Sequence, residues 1–198
     1  MRILLSMLCL SFLYTSCVND MKEVDELMED VDAIYMDTAR QVRILYSDSA
    51  QVQVEIEAPT LVRHLSKEDP RDEFPDGVYV KFYNENKKVS SWLKADYAVK
   101  LENQDIIIAR YNVQLYNANQ EKLESPELIW NEKEEIMYTD KIVRITKPMS
   151  GDTTYGSGFE TNQDFSRFEI KQNYTARMNS EEFSKTLDED DTSTSPKP

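Results

Sequence analysis

Apolar residues fall on every second position of one stretch after another, with polar residues in the gaps. Ile107, Ala109, Tyr111, Val113 and Leu115 show the pattern in full. A period of two places alternate side chains on opposite faces of a strand, so the pattern predicts half-buried β-strands. Between these segments lie short polar clusters, at 117–122, 131–135 and 147–152, rich in the Asn, Asp, Gly and Pro that turns require. The stretch from Asp105 to Phe159 therefore reads as a strand-and-turn meander.

The same signals extend to both sides. QVRILYS and QVQVEIEA are separated by Ser47, Asp48 and Ser49 and read as a hairpin. VYVKFYN places Val78, Val80 and Phe82 on one face and Tyr79, Lys81 and Tyr83 on the other. After a turn at 84–88, VSSWLKADYAV puts Leu93, Ala95, Tyr97 and Val99 on a shared face, and RFEIKQNY forms the last strand. The polar stretch from His64 to Pro75 is expected to be a loop at one end of the sheet. Small residues following apolar strands, Ala58, Ala95, Ser125 and Gly158, recur at intervals of roughly 30–37 residues, about one hairpin with its turns. Stacked units of this kind build an elongated sheet with a trough-like core, because no single unit can bury its apolar face alone.

The two ends of the chain have a different composition. Met1 and Arg2 precede the apolar run ILLSMLCLSFLY, which has the length of a signal peptide and is too short to cross a bilayer as a helix. Thr15 and Ser16 then lead to Cys17, the pattern of a lipoprotein signal whose cysteine is acylated. The expected organisation is a lipoprotein signal peptide over 1–16, a lipid anchor and acidic tether over 17–37, a folded β domain over 38–178 and a disordered acidic tail over 179–198. Within the tether, Val24, Leu27, Met28, Val31 and Ile34 fall at helical spacing, so it reads either as a short amphipathic helix or as a flexible linker. The tail, ending DEDDTSTSPKP, lacks the apolar content of a folded segment.

Charge and chemistry narrow the function classes. A formal net charge of -14 argues against a nucleic-acid partner and against loose adsorption to an anionic membrane, leaving the lipid anchor as the means of membrane association. With Cys9 in the removable segment, Cys17 is the one thiol of the mature chain, so no disulfide framework or cysteine-based zinc site is expected. A single histidine, His64, fits a loop residue better than a metal ligand or a catalytic base. No nucleophile and base, phosphate loop or carboxylate pair stands out, so the chain reads as a non-enzyme without metal or cofactor. The aromatic residues Trp92, Trp130, Tyr97, Tyr111, Tyr138 and Phe159 either fill a core between two sheet layers or hold the layers apart around an apolar slot.

Several sets of residues carry a family resemblance. Leu123, Ser125, Leu128 and Trp130 form L-x-S-x-x-L-x-W; Ile136, Tyr138, Thr139, Asp140, Val143 and Ile145 form I-x-Y-T-D-x-x-V-x-I. Gly156, Gly158, Phe159 and Glu160 form G-x-G-F-E, followed by Asp164 and Phe165. Together with Ala109, Asn112 and Val113, they resemble the LptC component of lipopolysaccharide export and its OstA-like relatives over roughly residues 38–172. Tyr111 departs from the pattern, standing where the repeat often has Gly; its side chain is expected to narrow the slot or to turn outward. The Cys17 anchor is a second departure, since many relatives use a transmembrane helix.

The resemblance implies an all-β fold, an elongated, twisted, open β-jellyroll of antiparallel strands. Its apolar groove would shield the acyl chains of lipopolysaccharide. The implied partners are lipopolysaccharide, the inner-membrane lipopolysaccharide ABC transporter complex and a periplasmic bridge protein of the LptA type, reached from the inner membrane. Strands near Val42–Tyr46 and Phe168–Lys171 are the expected free edges for joining partners. The expected lining is Val80, Phe82, Leu93, Tyr97, Ile107, Val113, Leu115, Trp130, Ile136 and Val143, and Val113→Asp is expected to abolish lipid transfer with the fold intact. Two other readings stay open: an adaptor lipoprotein with a packed core and no cargo, and an enzyme acting on envelope lipid or glycan.

Overall fold

The structure, a computed structural model, describes residues 36–174 and 183–187. The signal peptide, Cys17 and nearly all of the tether lie outside the described residues. The described residues are nearly all β, with eleven strands joined in one antiparallel sheet. They are β1 (Met36–Asp48), β2 (Gln51–His64), β3 (Arg71–Phe74), β4 (Val78–Tyr83), β5 (Val89–Ala95) and β6 (Tyr97–Leu101), then β7 (Ile106–Asn117), β8 (Lys122–Asn131), β9 (Ile136–Lys147), β10 (Asp152–Asn162) and β11 (Phe168–Asn173).

The long strands are shared between short ones. The first half of β2 pairs with β4 and its second half with β3, while β7 pairs with β6 through Ile106–Arg110 and with β5 through Gln114–Asn117. With β3 on β6 and β4 on β5, the six strands close a ring. Beyond it, β8, β9, β10 and β11 continue the sheet from β7, and β1 flanks β2.

Where the pairing switches, the strands bend. The registers of β7 on β8, β8 on β9 and β9 on β10 shift at Arg110/Val113, Glu124/Ile129 and Ser157/Phe159. Bulges of this kind bend a strand and raise its twist. Tyr111, Asn112 and Gly158 take positive φ there, 63°, 49° and 66°. Asn tolerates that conformation, and the Asn112 amide donates to Asp96 Oδ2 at 2.6 Å, tying β7 to the β5–β6 corner. The spaced small residues Ala58, Ala95, Ser125 and Gly158 all lie at these bends. The repeat read from the sequence is therefore the line along which the sheet folds over itself.

One expectation needs correction. The segment from His64 to Pro75 is not wholly a loop, because Arg71–Phe74 forms β3 between β2 and β6. Its charge hid it: the Arg63 guanidinium grips Asp72 through two bonds of 2.8 Å, which lets a polar strand sit in the sheet. Of residues 179–198 the structure describes 183–187, which are helical. Phe183 is buried, its ring 5.7 Å from Tyr155 with the Arg144 guanidinium 4.9 Å above it. Among the described residues the sheet begins at Met36.

Candidate functional site

Residues directly opposite one another in an antiparallel sheet point to the same face, so the register strings the interior into ribs. One rib reads Ile44, Ile56, Val80, Leu93, Leu115, Leu123 and Ile145, from β1 to β9, and every member is apolar. At the usual strand spacing, seven strands extend roughly 29 Å. A second rib, on the other side of the bend, reads Asp72, Lys100, Ile107, Trp130, Met137 and Thr161; it is charged at one end, apolar over its middle three members and polar again at Thr161. The bend brings the two ribs face to face. Phe82 on β4 meets Trp130 on β8 with ring centroids 5.0 Å apart, although β5 and β7 lie between their strands.

Eight of the ten expected lining residues meet in this interior: Val80, Phe82, Leu93, Ile107, Val113, Leu115, Trp130 and Val143. Tyr97 and Ile136 do not. Tyr97 pairs with Arg110 on the outer face and packs against Tyr111 at 6.2 Å, while its neighbour Ala98 faces inward. The alternation that runs through Leu93 and Ala95 is interrupted at the Asp96 corner and resumes one residue out of phase. Burial raises the Tyr97 phenol above its ordinary pKa. Ile136 opens β9 opposite Asn131 and is only half-buried, whereas Met137 pairs with Trp130 and occupies the interior. Tyr111 turns outward, as its positive φ and its contact with Tyr97 show.

The slot is closed in this structure. Beside β1, the Lys100 ammonium donates to Tyr46 Oη at 3.3 Å, lies 3.1 Å from Glu132 and sits over the Tyr46 ring. Burial alone would lower its pKa, but Tyr46 and Glu132 outweigh burial and hold it above the ordinary value. Toward β11, the Ser91 hydroxyl donates to the Gln163 carbonyl at 2.6 Å, the Asn117 amide donates to the Phe165 carbonyl, and the Phe165 ring plugs the interior. The remaining cavity, lined by Ile56, Phe74, Val80, Phe82, Leu128 and Trp130 among others, is about 10 Å³. The sequence marked Phe165 only as part of a motif and Tyr46 only as the end of an edge strand, and it assigned neither of them nor Lys100 a closing role, because closure depends on contacts between distant strands.

Two edges are free of a second neighbour among the described residues. β1 pairs with β2 only, and β11 with β10 only. They are the strands expected as edges. β1 is fixed to the sheet from the outer face by Glu55, which accepts hydrogen bonds from Arg43 Nε at 2.9 Å, Tyr83 Oη at 2.7 Å and Lys81 Nζ at 3.2 Å. The Arg43 guanidinium, then the Tyr83 hydroxyl, hold this carboxyl well below the usual carboxylate range although burial opposes them.

Among the described residues, no group of three or more His, Cys, Asp or Glu side chains could hold a metal ion, and no helix is long and apolar enough to cross a membrane. Comparison with curated proteins gives no match. The family model for lipopolysaccharide-assembly, LptC-related proteins matches residues 2–179. An all-β sheet folded over an apolar interior, carrying the motifs that model spans, belongs to the LptC family and hence to the proteins of lipopolysaccharide transport.

Proposed function

We propose that this protein carries lipopolysaccharide across the periplasm with its acyl chains between the folded-over halves of the sheet. It would receive the lipid from the inner-membrane ABC transporter and pass it to the next jellyroll of a bridge. The observation that carries this reading is the unbroken apolar rib from Ile44 to Ile145. Exposing an acyl chain to water costs about 0.8 kcal/mol per methylene, and a continuous apolar surface removes most of that cost. The interior opens by separation of the two halves. The free backbone of β1 and β11 is a template for strand addition by partners at either end, and acylation of Cys17 would hold the protein at the inner membrane.

The test is photo-crosslinking in living cells, with the reactive group at Val113 and at its outward neighbour Gln114. Capture of lipopolysaccharide at Val113 but not Gln114, dependent on active transporter, is the expected result. Failure at Val113 in folded protein would overturn the proposal. It would leave the alternative that the small cavity favours, an envelope lipoprotein acting as an adaptor without lipid cargo.

A further inference from the structure

Trp130 is 6% exposed, and its indole Nε1 has no hydrogen-bond partner among the described residues. Its surroundings offer no acceptor, since Phe82, Leu128, Ile107 and Ala109 line the same cavity. At about 10 Å³, that space is at the lower limit for a single water, and its walls supply none of the polar partners a water needs. A phenylalanine would keep the ring contact with Phe82 without burying an unpaired donor, so the indole costs stability here unless something accepts its proton.

The position on the rib indicates what that acceptor is. Lys100 lies two strands to one side of Trp130, roughly 10 Å away, and Met137 lies one strand to the other. The donor thus stands inside the apolar stretch Ile107–Trp130–Met137 of a rib that is charged at Lys100 and polar again at Thr161. A carbonyl or hydroxyl oxygen of an acyl chain is an acceptor with hydrocarbon on either side, which suits a single donor set in an apolar stretch.

We infer that Trp130 is a specificity-determining residue whose indole N–H holds a carbonyl or hydroxyl oxygen of a bound acyl chain, so that the slot favours oxygen-bearing chains over plain hydrocarbon. The inference rests on the lipid-carrier reading above. It adds to that reading one polar contact inside an otherwise apolar site, and a site with a buried donor discriminates against a ligand that leaves it unpaired.

The test uses the full-length chain in phosphatidylcholine nanodiscs and two photoreactive probes of equal length, a diazirine-bearing long-chain methyl ester and the corresponding diazirine-bearing alkane. Covalent capture is read by intact mass. The wild type is expected to capture the ester about three- to tenfold better than the alkane, and Trp130→Phe to capture the two equally, read as the ester-to-alkane ratio within each protein so that a change in overall capture does not enter. A second measurement does not depend on that variant's fold. The chain has two tryptophans, so in Trp92→Phe the emission comes from Trp130 alone. Ester should shift it to the red as the indole gains an acceptor, and alkane should not. Equal capture of both probes by the wild type, or capture of ester without a shift, overturns the role of Trp130 and leaves the lipid reading standing. Capture of neither probe overturns both.

Discussion

Phe82 and Trp130 meet edge to face across the interior, with ring planes at 89° and centroids 5.0 Å apart, from strands separated in the sheet by two others. Neighbouring strands are held by backbone ladders, but these two side chains hold the folded-over halves of the sheet to each other. Separation of the halves must break this contact.

Removing the Phe82 ring is therefore expected to weaken the whole domain. Phe82→Ala leaves a cavity against Trp130 and should lower unfolding stability by about 3–5 kcal/mol, read as a fall in the urea midpoint with tryptophan emission as the probe. A loss below about 1 kcal/mol would mean that the halves do not meet at this contact.

At Val113 the structure changes the expectation drawn from the sequence. The side chain is 1% exposed and packed in the core beside the β7 bulge. An aspartate there would bury a charge with no partner, so Val113→Asp should cost several kcal/mol and unfold much of the chain. Loss of transfer in that variant would report on the fold. Val113→Ala, which leaves the interior apolar, should remain folded with a lower midpoint, and circular dichroism of the two variants distinguishes the cases.

The strands and their faces were legible wherever alternation was unbroken, as from Val78 to Phe82 and from Val113 to Leu115. It failed where the phase changes. Asp96 separates β5 from β6 and reverses the assignment of Tyr97, and Ile136 and Met137 are both apolar, so parity could not choose between them. No closing role could be read for Tyr46, Lys100 or Phe165, although Phe165 stands among the residues that carry the resemblance, because each joins strands far apart in the chain. The G-x-G motif was legible as a resemblance and its cause was not. A Cβ on Gly156 would lie 2.3 Å from Ile170 Cγ2 and 2.5 Å from the Gln172 carbonyl, so β11 sits against β10 only because the position is bare. Gly158 takes a φ of +66° at the bend.

Glu55 links edge strand β1 to the sheet in a pH-dependent way. Its carboxyl is held far below the ordinary value of 4.5 by Arg43 and Tyr83, so its contribution is fully present above that value and is lost as pH falls toward the folded-state pKa. Glu55→Gln should be less stable than wild type at pH 7, and the gap should narrow steadily below about pH 4.5. Denaturant midpoints of both proteins at pH 7, 4.5 and 3 check it. A gap independent of pH would show that the ionised carboxylate contributes nothing.

Lys100 closes the interior beside β1 through Tyr46 and Glu132. In Lys100→Met the stem still packs but the hydrogen bond and ion pair are gone, and the halves should part more readily. Amides of β1 and β6 are expected to exchange several-fold faster with deuterium, with those of β9 and β10 unchanged. Lipid capture at Val113 should rise as well. Unchanged exchange in β1 would mean that the ammonium does not hold this side shut.

Gly156→Ala tests the free edge at the other end of the sheet. The added methyl would overlap the Gln172 carbonyl, which is backbone, as well as the Ile170 side chain, so relief requires β11 to move away from β10. The remaining strands keep their partners, since β10 still pairs with β9 along most of its length. The expected variant is a folded domain in which amides of 168–173 lose protection while those of β4, β5 and β7 retain it. If β11 is the template on which the next jellyroll adds its strand, crosslinking to that partner through residues of β11 should fall at least tenfold, while lipopolysaccharide capture at Val113 persists. Loss of both signals in a folded variant would make β11 part of the lipid slot, and retention of partner crosslinking with β11 displaced would assign the junction to another strand.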